Sequence, residues 1–214
     1  MQLTGADKYD AKLVPDLERY VDEQVSKNTW NLDANLALLR HYQFAPSTAK
    51  INVLAKLLLK ALAQLPDSEF KICIHLVPER LQADESISKV VALAGALETT
   101  RFAEFWTLAG SSKDVIALVP GFADAARTYI THILGITYQR VTKAVLGSAL
   151  QLQGGELDAF IQGKVKSSGW AVSGDIVTLP KNESNSPPVV VKRTQDPIRF
   201  EQVAPVLRGV TIGF

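Results

Sequence analysis

The sequence predicts a mainly α-helical protein, with a domain of HEAT-like stacked helical hairpins followed by a winged-helix domain that carries a small β hairpin. Two observations support this. Helix start signals recur every 15 to 20 residues in the first part of the chain. In the second part, three further helices are followed by two β-branched runs, the order of elements in a winged helix. We therefore predict a helical-repeat domain over residues 1–118 and a winged-helix domain over residues 119–214.

The helices of the first part are predicted from their start and stop residues. Pro15 suits a first helical turn, Asn31 can cap a second helix, and Pro46 ends it. Further starts follow from capping residues and apolar periodicity, near residues 47, 67, 86 and 101. Each hairpin then spans about 35 residues, a period typical of helical repeats that bury their faces only against neighbouring hairpins.

Two apolar patterns indicate where the core lies. The third helix has leucines and other apolar residues around most of its circumference. This predicts that it lies in a middle layer, with other helices packed on more than one side of it. Phe102, Phe105 and Trp106 follow i, i+3, i+4 spacing, so we expect them to form a core cluster rather than a binding face.

The winged helix is predicted from the order of its elements. An apolar stripe from Phe122 to Ile133 indicates its first helix. A shorter helix over Tyr138–Leu146 should end at Gly147, and a third helix covers residues 156–168. Runs at 176–179 and 189–191 then predict the two strands of the hairpin.

Two features follow the predicted strand at 176–179. The polar, proline-punctuated segment 180–188 predicts a mobile loop. Asp196-Pro197 resembles a cap and first turn for a short C-terminal helix that carries Phe200, and Pro205 should end or kink this helix.

Composition excludes several classes of protein. The chain has 214 residues, a formal net charge of +1 and one cysteine, which excludes a bulk basic nucleic-acid coat and an internal disulfide. The opening residues lack a basic and apolar signal, and no window of about 18 residues is apolar throughout. We therefore expect a cytoplasmic protein that makes no contact with a membrane.

The sequence shows no catalytic constellation. His41, His75 and His132 stand in different predicted helices with no metal-binding spacing, and Cys73 lies among apolar residues as a small core residue would. A phosphate loop and a nucleophile elbow are both missing from the sequence. These observations predict a protein that is not an enzyme and needs no metal or cofactor.

Winged helices often read DNA, but the charges of the third helix oppose that function. Lys164 and Lys166 are offset by Glu156 and Asp158, so this helix is neutral. Proteins that bind specific DNA sequences commonly neutralise about 6–10 phosphates, which is more than two offset lysines can do. A protein-interaction module is the better interpretation.

The partner surface is predicted at the C-terminal end. Val189, Val190 and Val191 form an apolar β run that could pair with a strand of another chain. The alternative is that these valines complete the sheet of this chain. In that case the last helix, around Phe200, becomes the candidate surface.

Short sequence runs spread along the chain resemble a known family. They are Leu17-Glu18-Arg19-Tyr20-Val21, Leu32 to Leu39, Tyr42-Gln43-Phe44 with Pro46, Leu58 to Pro66, Leu97 to Trp106, Gly121-Phe122, Gly135 to Gln139 and Gly169-Trp170. In these runs the chain is similar to subunit k of the eukaryotic translation initiation factor 3 complex. The resemblance implies a helical-repeat domain followed by a winged helix, the PCI-type arrangement. The N-terminus and the 180–188 segment depart from the family pattern.

The resemblance also implies a function. The family is a non-catalytic, peripheral subunit of the complex that binds the small ribosomal subunit and promotes recruitment of initiator tRNA and mRNA, and its closest neighbour there is subunit l. Two alternatives stay open. One is a PCI subunit of another assembly, the proteasome lid or the COP9 signalosome; the other is a nucleic-acid-binding winged helix.

Overall fold

The computed structural model describes residues 10–187 and 199–211. The helices in these ranges are α1 Val14–Ser26, α2 Leu32–Phe44, α3 Ile51–Leu62, α4 Glu69–Leu76, α5 Glu79–Gln82, α6 Glu85–Glu98, α7 Phe102–Ser111, α8 Lys113–Ile116, α9 Phe122–Thr137, α10 Lys143–Leu150, α11 Gly154–Ser168 and α12 Phe200–Thr211. The strands are β1 Arg140–Thr142, β2 Ala171–Ser173 and β3 Ile176–Thr178. The predicted fold class, mainly helical with a small sheet, is confirmed.

The helices of the first part begin at the residues whose chemistry suits a helix start. Pro15 lies in the first turn of α1. The side chain of Asn31 caps α2 by accepting a hydrogen bond of 3.1 Å from the backbone N–H of Ala34. Asp84 caps α6 in the same way, through the N–H of Ser86 at 2.9 Å. These starts fall within a few residues of the predicted ones.

Helix α3 is the middle layer of the stack. It packs against α1, α4 and α6. Its side chains from Val53 to Leu62 are buried with the exception of Lys56, as the apolar girth of this segment predicted. Burial on several sides explains why so many large apolar residues occur in one helix.

Several polar side chains inside the stack are hydrogen-bonded to one another. Gln24 on α1 and Asn35 on α2 exchange two side-chain hydrogen bonds of 2.9 and 3.1 Å, and both residues are buried. Nearby, the buried carboxylate of Glu18 accepts hydrogen bonds from the Tyr42 hydroxyl and the Lys50 ammonium. These bonds fix α1 against α2 because a buried polar group without a partner is costly.

The second part of the chain has the element order of a winged helix. Helices α9, α10 and α11 are joined by short connections, and β1 lies between α9 and α10. The three strands form one antiparallel sheet in the order β1-β3-β2. Val141, Val177 and Val172 lie opposite one another across this sheet. The first two are buried, so this face of the sheet covers the core.

The hairpin differs from the prediction. The partner of Ile176–Thr178 is Ala171–Ser173, and the turn at Gly174 joins them. The predicted hairpin of the 176–179 run with Val189–Val191 is wrong, because β3 already has β1 on one side and β2 on the other. Residues 189–191 lie outside the described residues.

The predicted helix over Tyr138–Leu146 is also partly wrong. Residues 140–142 form β1, and α10 begins only at Lys143. The helix then continues through Gly147 to Leu150. A close approach accounts for glycine at this helical position, because an added Cβ would lie 2.9 Å from the carbonyl oxygen of Leu152, in the turn that leads to α11.

The end of the chain was predicted less well than the helical stack. The segment 180–188 was predicted to be mobile, but its described part, up to Pro187, contains a turn in which Asn185 is buried and hydrogen-bonded to the end of α9. Helix α12 begins at Phe200 and continues through Pro205, which was predicted to end or kink it. The predicted cap at Asp196-Pro197 lies outside the described residues.

The buried apolar residues form one continuous cluster that reaches from Leu17 to Leu179. The rings of Phe105 on α7 and Phe122 on α9 lie 6.4 Å apart, so the cluster crosses the boundary predicted at residue 118. The division into domains 1–118 and 119–214 stays a prediction.

Candidate partner-binding surfaces

Helix α12 presents an apolar face to solvent. Phe200 is 73% exposed and Val206 is 65% exposed, while Leu207 and Val203 are 54% and 37% exposed. These residues recur at helical spacing along one side of the helix. Contiguous apolar surface of this kind is typical of a site that another protein covers.

The ends of α12 are suited to a helix that persists in solvent. Glu201 lies in its first turn and Arg208 in its last, which complements the helix dipole. The side chain of Gln202 accepts a hydrogen bond of 3.0 Å from the backbone N–H of Arg199, while the N–H of Gln202 donates to the carbonyl of Arg199. These local bonds stabilise the first turn in the way that a capping box does.

The small sheet has a second exposed feature at β2. All three residues of this strand, Ala171, Val172 and Ser173, are exposed, and none carries a charge. The side of β2 opposite β3 is an edge of the sheet as far as the described residues define it. An uncharged edge strand is a template for pairing with a strand of another chain.

Helix α11 occupies the position of a DNA-reading helix, but its side chains do not suit that role. Lys164 lies over the ring of Phe160, with 5.5 Å from Nζ to the ring centroid. The carboxylate of Asp158 accepts a hydrogen bond of 3.2 Å from Lys143. Its outer surface therefore offers a mixture of small, acidic and basic residues instead of a basic stripe.

A junction between the two parts of the chain is formed by α7 and α10. Trp106 on α7 donates a hydrogen bond of 2.8 Å from Nε1 to the carbonyl of Ala149, and the guanidinium of Arg127 lies 5.2 Å from the centre of its ring. Phe105 is fully buried, whereas Phe102 and Trp106 are half-buried and pack against the core. The predicted core cluster is thus centred on Phe105, and its two neighbours line shallow clefts beside α10.

The groups that could support chemistry are buried or scattered. Cys73 is fully buried, and the low polarity of its surroundings, with the nearby carboxylate of Glu69, raises the pKa of its thiol from 9.0 to about 12. A thiol in this state is a poor nucleophile. Over the described ranges 10–187 and 199–211, His, Cys, Asp and Glu form no cluster able to hold a metal ion. Within the same ranges, no helix has the length and apolar character needed to cross a membrane.

The sequence predicts Phe200 as a partner-binding residue, which stays a prediction, and it gave no sign of two other features. The structure places Phe200 on the exposed face of α12, far along the chain from β2, and Val189, Val190 and Val191 cannot be placed because they lie outside the described residues. The β2 edge was missed because a three-residue strand leaves too short a pattern to detect. The role of Asn185 was missed because its contacts join parts of the chain that are distant in sequence.

Stacked helices followed by a winged helix, with apolar surface exposed on α12, define the fold class of this chain. The comparisons with known proteins identify the family within this class. A family model described as the CSN8/PSMD8/EIF3K family matches residues 48–190, about two thirds of the chain. The chain belongs to this family.

Individual relatives match over nearly the whole length. The eukaryotic translation initiation factor 3 subunit K of Nematostella vectensis is 36% identical over 205 residues, which cover 96% of this chain and 93% of the relative. The protein of the same name from Homo sapiens is 34% identical over 208 residues, with 96% and 92% covered. That from Anopheles gambiae is 30% identical over 205 residues, with 96% and 90% covered.

Proposed function

We propose that this chain is a subunit of eukaryotic translation initiation factor 3, in the position of subunit K, and that it acts as a non-catalytic scaffold. One observation carries the proposal: relatives with that name, from a sea anemone to mammals, match 96% of the chain at 33–36% identity. Matches of this extent include both the helical stack and the winged helix.

The proposed role follows from that membership. The complex binds the small ribosomal subunit and promotes recruitment of initiator tRNA and mRNA, and this chain reaches the ribosome as one of its subunits. Such work is done in the cytoplasm. It needs surfaces for neighbouring subunits and no catalytic group, in keeping with a buried, weakly acidic Cys73.

A subunit of the proteasome lid or of the COP9 signalosome is the second candidate. The family description names CSN8 and PSMD8 beside EIF3K, so the family alone does not separate the three. The names of the individual relatives favour the initiation factor. A DNA-reading winged helix is disfavoured by the mixed charges of α11.

Subunit l is the neighbour that we propose for this chain, and the C-terminal region is the proposed contact. The apolar face of α12, with Phe200 at its start, is available to pack against helices of a partner. Val189, Val190 and Val191 are proposed to add a strand to the sheet of the partner. If they instead complete the sheet of this chain, they must pair with β1 or β2, because β3 is already paired with a strand on each side.

A pair of matched variants tests the contact through α12. Phe200→Asp places a charge on the exposed apolar face, and Phe44→Asp makes the same change on α2, where Phe44 is 79% exposed. We expect Phe200→Asp to weaken binding of recombinant subunit l by about tenfold or more, as for an interface hot spot. Phe44→Asp should bind as the wild type does, and circular dichroism should give both variants the helix content of the wild type. Equal binding by the wild type and a folded Phe200→Asp protein would contradict the role of α12.

The strand contact has its own variant. Val190→Pro removes one backbone donor and blocks an added ladder of hydrogen bonds. We expect weaker binding of subunit l with an unchanged melting midpoint. Full retention of subunit l would remove this strand from the interface, and loss of folding would mean that the strand belongs to the sheet of this chain.

The function itself is tested by sedimentation of a cell extract that contains the tagged chain. We expect the chain to migrate in a sucrose gradient with the small ribosomal subunit and with other subunits of the initiation factor. A chain that migrates with the proteasome would support the second candidate instead.

A further inference from the structure

Asn185 joins the segment after β3 to the end of α9. Its side-chain Nδ2 lies 2.9 Å from the carbonyl oxygens of Gly135 and Pro180 and 3.3 Å from that of Tyr138. Its Oδ1 accepts a hydrogen bond of 2.9 Å from the N–H of Asn182. Gln139 donates from Nε2 to the backbone carbonyl of Asn185 at 2.6 Å. We call this set of bonds the Asn185 latch.

Ser186 follows the latch directly and belongs to the same turn. Its backbone N–H donates a hydrogen bond of 2.9 Å to the carbonyl of Asn182. Its side chain is half-buried. Pro187 comes next and is exposed. In the whole sequence this is the one place where a serine or threonine precedes a proline.

We propose that Ser186 is a phosphorylation site for proline-directed protein kinases and that the Asn185 latch controls access to it. These kinases select serine or threonine followed by proline and bind the substrate in an extended conformation. The serine oxygen forms a bond to the γ-phosphorus of ATP, the bond from that phosphorus to the bridging oxygen breaks, and ADP leaves. The hydroxyl proton passes to the catalytic aspartate of the kinase.

The latched turn and the extended conformation exclude each other. In the latched state the N–H of Ser186 is bonded back to Asn182, so the kinase can act only on the open minority of molecules. Phosphorylation then opposes closure. The latch lies at the carboxyl end of α9, where the carbonyls of Gly135 and Tyr138 converge, and a group with a charge of about −1.5 to −2 is unfavourable at that end of a helix. Modification therefore holds the segment open.

The experiment uses the full chain with a purified proline-directed kinase and ATP, and mass spectrometry locates and quantifies the phosphate. We expect phosphate on Ser186 in the wild type and none at this position in Ser186→Ala or Pro187→Ala. Asn185→Ala removes the side chain of the latch, and its initial rate should exceed that of the wild type by at least about fivefold, the effect of losing one net hydrogen bond on the opening equilibrium. Ser184→Ala is the matched control, because Ser184 is exposed and precedes an asparagine. Ser186 should be phosphorylated in this variant at the same initial rate as in the wild type.

Two further measurements keep the proposal open to contradiction. Gln139→Ala removes a single side-chain hydrogen bond of the latch and should also raise the rate of phosphorylation. This variant replaces Asn185→Ala if that protein does not fold. Hydrogen exchange at Asn185 and Ser186 should be faster in the phosphorylated chain than in the unmodified one. Absence of phosphate on Ser186 in both the wild type and the latch variants would overturn the site. Equal rates in the wild type and a folded latch variant would overturn the control by the latch.

Discussion

Gly147 provides a sharp test of the winged helix, because replacing it by alanine should destabilise the protein although it lies inside a helix. In a helix interior, glycine to alanine normally stabilises by about 0.5–1 kcal/mol. At Gly147 the added Cβ would lie 2.9 Å from the carbonyl oxygen of Leu152 and 3.2 Å from Cδ2 of Leu157. The first of these atoms belongs to the backbone of the turn between α10 and α11, so it cannot rotate away.

The magnitude follows from setting the two effects against each other. Overpacking costs about 1–3 kcal/mol, and the propensity gain offsets only part of it, which leaves a net loss of about 1–2 kcal/mol. For a chain of this size the melting midpoint should fall by about 2–8 °C. Gly163→Ala is the matched control in α11, where an added Cβ meets nothing within 4 Å. It should raise the midpoint by about 1–4 °C.

The assay is thermal unfolding of both variants, followed by far-ultraviolet circular dichroism. Opposite signs of the two shifts are the expected result. A Gly147→Ala protein that melts at or above the wild-type midpoint would refute the close approach of the α10–α11 turn.

Three further outcomes are expected. Unfolding in urea should show that Trp106→Ala loses about 3–4 kcal/mol of stability, because it removes half-buried ring area, the hydrogen bond to Ala149 and the contact with Arg127. Trp106→Phe, which keeps an aromatic ring, should lose about 1–2 kcal/mol. A Trp106→Ala protein with the wild-type midpoint would contradict this. Asn35→Ala should lose about 2 kcal/mol in the same assay because it leaves the buried Nε2 of Gln24 without its partner, and no loss would mean that the pair is not formed. Burial raises the pKa of Cys73 from 9.0 to about 12, so its contribution to stability is complete below pH 9 and falls as the pH rises from 9 towards 12. Unfolding in urea across that range should show a steeper loss for the wild type than for Cys73→Ala, and parallel curves would exclude this contribution.

The helical stack was predictable because its signals are local. Each signal acts within one or two turns of helix. Pro15 and Asn31 mark helix starts, and apolar residues surround the segment 51–62; the structure has α1, α2 and α3 at these positions. The same reasoning placed Phe105 in the core. It did not show that Trp106 would reach across to Ala149, because that contact depends on where α10 packs.

The winged helix was predicted in its order but not in its pairing. Strands of three residues are too short for an alternating pattern, so the 140–142 segment was absorbed into a predicted helix. Gly147 was interpreted as a helix end, although a tertiary close approach explains it. Asn182 and Asn185 were interpreted as members of a mobile polar loop. An Asn-x-x-Asn spacing is compatible with the turn that they form, but only the end of α9 supplies the carbonyls that complete it.

The candidate partner surface was predictable only in part. The sequence placed Phe200 in a C-terminal helix, and the structure shows that its side chain is exposed there. Its role in binding a partner stays a prediction. The β2 edge depends on the strand order β1-β3-β2, which no local pattern specifies.

The central proposal, membership of initiation factor 3, is tested most directly by affinity purification of the tagged chain from its own cells, with quantitative mass spectrometry of the proteins that co-purify. We expect subunits of the initiation factor, with subunit l among the most enriched, at levels comparable to the chain itself. Enrichment of proteasome lid or COP9 signalosome subunits in their place would contradict the account.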